Sequence, residues 1–219
     1  MDQLRVTLIA PAGAGQQPLA WLEEIGSIAE MAGVTLRVVA GPDVTRARAA
    51  RGLHEPADVV IWSGHGAEAG LLLSDGSIVN GKWLATQARS AAPRVLVAAA
   101  CGSAACGSAA ADGQLQSIAG AVSRAGINAV GFPLRADDRA AATYNIELIR
   151  ALAAGADVGT AHEVALDSAV AQHPLTAAGI TLTPALTDGY RAIMLRLDAL
   201  EAGQRRLAAR LAEISARPG

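Results

Sequence analysis

Short, almost wholly apolar runs alternate along the chain with longer amphipathic stretches. "LRVTLIA" (4–10) reads as a first strand, and "PAGAGQQ" after it as a loop. "PLAWLEEIGSIAEMAG" (18–33) has helical periodicity and stops at Gly33, a C-cap candidate. "VTLRVVA" (34–40) is a second strand. "DVTRARAARGLHE" (43–55) is a helix with Asp43 as its N-cap candidate. "ADVVIWS" (57–63) is a third strand without polar alternation, the pattern of a strand covered on both faces.

The pattern then changes. "GLLLSDGSIVN" (70–80) places two apolar runs around Asp-Gly, a hairpin turn signal. A helix follows over 81–91, then a fourth main strand, "RVLVAAA" (94–100). A helix over 113–126 with Gly126 as its stop leads to a fifth strand, "INAVGFP" (127–133). Two further helices span 137–155 and 157–173. This order predicts an α/β fold, a mainly parallel sheet flanked by helices on both faces.

From Leu186 the seam positions run Leu186, Tyr190, Ile193, Leu197, Leu200, Gln204, Leu207, Leu211 and Ile214. The steps alternate four and three residues, which is a heptad seam with Gln204 as its one polar member. The chain thus divides into a domain over 1–172, a linker over 173–183 and a C-terminal coiled-coil helix over 184–216. The seam predicts self-association or a partner coil, with folding back onto the domain as the other reading.

Composition narrows the function classes. The chain has 219 residues, 52% of them hydrophobic but only 3% aromatic, so Val, Leu, Ile and Ala must build the core. A net charge of −2 argues against a nucleic-acid surface or an anionic membrane partner. No run approaches the ~20 apolar residues of a spanning helix, and "MDQLRVTLIAPAG" lacks the form of a signal peptide. Two cysteines make no disulfide framework. The expectation is a cytoplasmic protein with reduced thiols.

In parallel sheets, chemistry gathers where the strands end at their carboxyl side. "SGHG" puts His65 just past the third strand, and "ACGS" puts Cys101 just past the fourth. A thiolate nucleophile, a histidine that manages its proton and donors for an oxyanion are what cysteine acyl transfer needs. The N–H groups of Gly66 and Cys101 are the oxyanion candidates. Alone, His65 would read as a structural histidine and Cys101 as a small buried hydrophobe. Their matching positions favour catalysis. Cys106, five residues further on, reads as a loop thiol. A zinc site from His65, Cys101 and Cys106 lacks a CxxC pair or a second histidine, and no cofactor is expected. His54, His162 and His173 have no motif context. No GxGxxG, P-loop or GxSxG occurs.

The ordered blocks "VVIWSGHG", "LLLSDGSIV", "VLVAAACGS", "AGINAVGFPLRADD" and "TYNIELIRALAAGADVGTAHEVAL" resemble the caspase-like (clan CD) cysteine peptidases, and more narrowly their bacterial CHAT branch, over about residues 57 to 170. The resemblance implies a caspase-like fold with His65 as catalytic histidine and Cys101 as nucleophile. It also implies an S1 acid that selects a basic residue. Asp137 matches that acid best and Asp138 is the near alternative. Asp137 is equally suited to cap the helix that begins there, and the two roles are compatible. The segment lacks the family's aromatic directly before the acid, having Phe132 five residues ahead, and Arg135 is placed to pair with either acid.

The resemblance implies an endopeptidase that cleaves protein partners after Arg, less readily after Lys, as a regulated bacterial defence or cell-death effector. The contrasting expectation is a catalytically silent caspase-fold module that assembles through its coil. A thiol redox role for Cys101 and Cys106 is a third, with no recognised mechanics for that spacing.

Overall fold

The computed structural model describes residues 3–13, 21–67, 70–100, 118–132, 137–177 and 179–185. Its main sheet has six strands: β1 (Leu4–Pro11), β2 (Val34–Gly41), β3 (Val59–Ser63), β7 (Val95–Ala99), β8 (Asn128–Gly131) and β9 (Thr181–Thr183). Their order is β2-β1-β3-β7-β8-β9, parallel throughout except for antiparallel β9. A second, three-stranded antiparallel sheet joins β4 (Gly66–Ala67), β5 (Gly70–Leu72) and β6 (Ile78–Val79).

Every residue of β3 and β7 is buried, which explains their unbroken apolar character. Successive side chains of a strand point to opposite faces, and two cores result. Leu8, Val59, Ile61, Val95 and Val97 face α1 (Trp21–Ala29), α5 (Asp138–Ala153), α6 (Val158–Gln172) and α7 (Pro174–Ala177). Ile9, Val60, Trp62, Leu96 and Ala98 face α2 (Arg46–His54), α3 (Gly81–Ala88), α4 (Ile118–Arg124) and the hairpin. In that hairpin, Asp75 Oδ1 accepts from the Ser77 N–H at 3.0 Å and Gly76 takes the left-handed φ of +78°. Asp-Gly therefore sets the turn as its sequence predicts.

Two local expectations change. The N-cap of α2 is Thr45, whose hydroxyl accepts from Arg48 N, while Asp43 forms an ion pair with Arg48. The helix starts two residues later than Asp43 would require, with Thr45 supplying the capping oxygen and Val44 fully buried before it. The stretch 173–183, expected as a linker, carries α7 and β9 instead. Leu182 pairs with Val130 in β8, Ala177 and Ile180 lie in the core, and Asn128 Oδ1 accepts from the Ala185 N–H at 2.9 Å. β-branched Thr181 and Thr183 suit a half-covered edge strand. The compact unit closes at Ala185. The heptad segment from Leu186 onward lies outside the described residues, as do both cysteines. Among the described residues no helix is long and apolar enough to cross a membrane.

Candidate active site

β3 and β7 are neighbours, with Ser63 opposite Ala99. The Gly64 N–H donates to the Ala99 carbonyl at 3.2 Å, carrying the pairing one residue past the strand. The chain then leaves the main sheet. The His65 carbonyl accepts from Leu72 N at 3.0 Å, and Gly66 pairs with Leu71. His65 is thus the hinge residue between two sheets, its backbone fixed on both sides and its side chain half-buried.

Gly64, before His65, and Gly70, at the start of β5, have steric reasons. A Cβ on Gly64 would stand 3.1 Å from Trp62 Nε1 and 3.4 Å from Pro11 Cδ. Gly70, at φ +155°, would place one 2.2 Å from the Val79 carbonyl oxygen, so only glycine fits there. These contacts press the turn after β3 against the end of β1 and hold the small sheet in register.

On its other side the strand end rests on a buried polar group. Glu24, on α1, is 1% exposed. Its Oε2 accepts from Ser63 Oγ at 3.0 Å, and its Oε1 accepts from Asn145 Nδ2, on α5, at 2.8 Å. Burial is the main force on its titration and pushes the pKa up to about 7; the nearby Asp138 charge adds to it, while the two hydrogen bonds oppose it. Sequence patterning alone did not single out Glu24. Its signal was there: Glu24 stands one turn before Ile28 on the apolar stripe of α1.

Asp137 is the N-cap of α5, its Oδ1 accepting from Arg139 N at 3.0 Å. Its other oxygen, Oδ2, lies 3.9 Å from His173 Nδ1, and its side chain is 42% exposed. Asp138 begins the helix and acts on Glu24, so this acid pair lies at the same end of the sheet as Ser63. Ala100 follows the end of β7, and its N–H turns back to the Ala98 carbonyl at 2.9 Å. Cys101, the next residue, is outside the described residues, as is Cys106.

The remaining histidines have partners of their own. His54 Nε2 meets Gln87 Oε1 at 2.9 Å. His162 Nδ1 meets the Tyr144 hydroxyl at 2.7 Å, and burial lowers its pKa while raising that of Tyr144. Among the described residues no three His, Cys, Asp or Glu side chains group as metal ligands would. A groove of about 240 Å³ between α3 and α4, lined by Lys82, Arg89 and Arg124 among others, contains none of the candidate residues.

No protein-family model matches the chain, and no curated protein does. A solved structure does: the Arg-specific cysteine proteinase gingipain R, at a TM-score of 0.56 and 15% identity, over 83% of this chain and 46% of that one. The fold is caspase-like. At this identity the likeness is one of architecture, and the chain spans just under half of the proteinase it matches. The mainly parallel six-stranded sheet, flanked by helices, is the shared frame.

Proposed function

We propose that the chain is a caspase-like cysteine endopeptidase that cleaves partner proteins after a basic residue, Arg in preference to Lys. The observation that carries this reading is the pairing of Ser63 with Ala99. His65 and Cys101 each follow, by two residues, one member of that pair, at the carboxyl ends of adjacent parallel strands. The fold is one that an Arg-specific cysteine proteinase uses.

In this mechanism the Cys101 thiolate attacks the scissile carbonyl carbon, and the N–H groups of Gly66 and Cys101 receive the oxyanion. Protonated His65 gives its proton to the leaving amine as the C–N bond breaks. A water, losing its proton to His65, then attacks the thioester; the carboxylate product leaves and the thiol is restored. Asp137 is the acid we assign to the pocket for the basic side chain, since one of its oxygens is spent on the cap and the other lies towards solvent and His173. Asp138, whose charge acts on the buried Glu24, is the second choice. The order of the sequence blocks supports a place in the CHAT branch and, with it, a role as a regulated defence or cell-death effector in the cytoplasm.

The test is direct. Purified chain is incubated with fluorogenic peptides bearing Arg, Lys or Asp before the reporter, beside Cys101→Ala and Cys106→Ala. Arg cleavage that Cys101→Ala abolishes and Cys106→Ala leaves intact is the expected result. Asp cleavage would overturn the pocket. No cleavage, together with no labelling of Cys101 by an arginyl chloromethyl ketone, would leave a caspase fold that serves as a silent scaffold.

A further inference from the structure

The Glu24–Ser63–Asn145 cluster joins three elements at a point the peptidase mechanism does not use. Glu24 comes from α1, Ser63 is the last residue of β3, and Asn145 lies in the middle of α5. All three side chains are buried, at 1%, 4% and 0% exposure. Ser63 is followed at once by Gly64 and His65, and Gly64 is tied to β7 by its N–H, which donates to the Ala99 carbonyl at 3.2 Å, with Trp62 Nε1 3.1 Å from where a Cβ would stand. A shift of Ser63 must therefore pass into the turn that carries His65.

We infer that Glu24 is a positioning residue for His65: through Ser63 its buried carboxyl sets where the Gly64–His65–Gly66 turn stands, and gaining or losing its proton moves that turn. The inference rests on the reading of His65 as the residue that handles the proton of Cys101.

Hydrogen-bond bookkeeping supports two states. Asn145 Oδ1 is buried with no partner, a costly arrangement. A protonated Glu24 offers an O–H that Oδ1 of a turned Asn145 amide accepts, and the amide Nδ2 then takes the place without a partner, so that one unmatched amide atom remains in either state. An ionised Glu24 is acceptor-only, holding the donors of Ser63 and Asn145 and leaving Asn145 Oδ1 orphaned. Among the described residues, the charged groups around the cluster do not compensate the anion. Asp138, in the first turn of α5, repels it. Asp137 precedes it, and Glu23 and Glu30 on α1, Arg37 on β2 and Arg139 on α5 are solvent-facing. On the β3 side the next titratable residue along the chain is His65, two beyond Ser63. Neutral pH falls within the range where both states are populated, given a pKa near 7.

The test uses the full chain, labelled with ¹⁵N, in a His65→Gln background that removes the titration of the histidine itself. The Gly64 and Gly66 amide resonances are expected to move with pH through one midpoint about pH 7. In Glu24→Gln/His65→Gln that midpoint disappears. Should the Gln variant fail to fold, Ser63→Ala/His65→Gln serves: it keeps Glu24 but cuts its link, and the response of the two glycines is lost. A midpoint that survives Glu24→Gln, or glycines that still follow pH in Ser63→Ala, overturns the inference. In the chain with His65 intact, the kcat for an Arg peptide is expected to fall as Glu24 ionises, with KM unmoved. Glu24→Gln extends that rate to higher pH, and Glu24→Ala lowers kcat by up to about 10²-fold, the scale of a misplaced reacting group. Absence of cleavage beside a Glu24-dependent midpoint would remove the peptidase reading and leave the link between Glu24 and the turn.

Discussion

A carboxyl with almost no solvent and only two donors has consequences at the residue scale that do not depend on catalysis. The pKa of Glu24 is raised from 4.5 to about 7 on folding. The folded state therefore holds its proton where the unfolded state has lost it. Stability is full below about pH 4.5, falls as the pH rises to about 7, and is flat above, a total of roughly 3 kcal/mol. Urea melts at fixed pH values read this slope, and Glu24→Gln is expected to flatten it. A Gln variant with the slope of the parent would assign the pH dependence to another group. Asp137 makes a separate case because it has one structural and one proposed duty. Asp137→Ser keeps a capping hydroxyl, so the thermal midpoint stays close to the parent. It loses the negative charge, and KM for an Arg peptide rises about tenfold to hundredfold. Asp137→Ala also loses the cap, at about 1 kcal/mol. An unchanged Arg preference in Asp137→Ser would pass the pocket role to Asp138.

At the scale of elements, β9 decides where the domain ends. It adds antiparallel to β8, and the segment before it buries Ala177 and Ile180 in the core of α1, α5 and α6. Ile180→Ala is expected to cost about 2–5 kcal/mol in urea melts, as for other buried isoleucines. A chain ended after Ala185 should melt with the parent's domain transition, and one ended after Gln172 well below it. Equal midpoints for the two would make β9 an appendage. The central strands were legible because β3 and β7 are buried on both faces, and an unbroken apolar run has one reading. The cap Asp137 and the stop at Gly126 follow from side-chain and backbone chemistry within a few residues. β9 was not legible despite its β-branched threonines, since a strand of three residues between Gly179 and Pro184 is too short to show a strand pattern. Only its pairing with β8, about fifty residues away, makes it a strand. Glu24 was hidden for a related reason. A glutamate on a helix reads as solvated until Ser63 and Asn145, both distant in sequence, are seen to meet it.

For the whole molecule, assembly turns on the heptad seam. A compact unit ending at Ala185 has two covered sheet faces and needs no second copy to close its core. The association we propose rests on the sequence between Leu186 and Ile214, where the a/d-like positions are apolar at all but Gln204. A single helix with such a stripe leaves its apolar face in water, and pairing with a second copy removes it. One polar seam residue is tolerated in a coil and fixes register, because Gln204 meets its own equivalent only when the copies are aligned in parallel. Sedimentation equilibrium of the full chain is therefore expected to give a multiple of 22.1 kDa, and of a chain ended after Ala185 a single copy. Gln204→Leu should tighten the assembly and broaden its stoichiometry. A full chain that sediments as one copy would favour a seam packed within its own chain or kept for a different coil. Association that survives removal of 186–219 would move the interface onto the domain, where the exposed edge of β2 offers unpaired backbone groups.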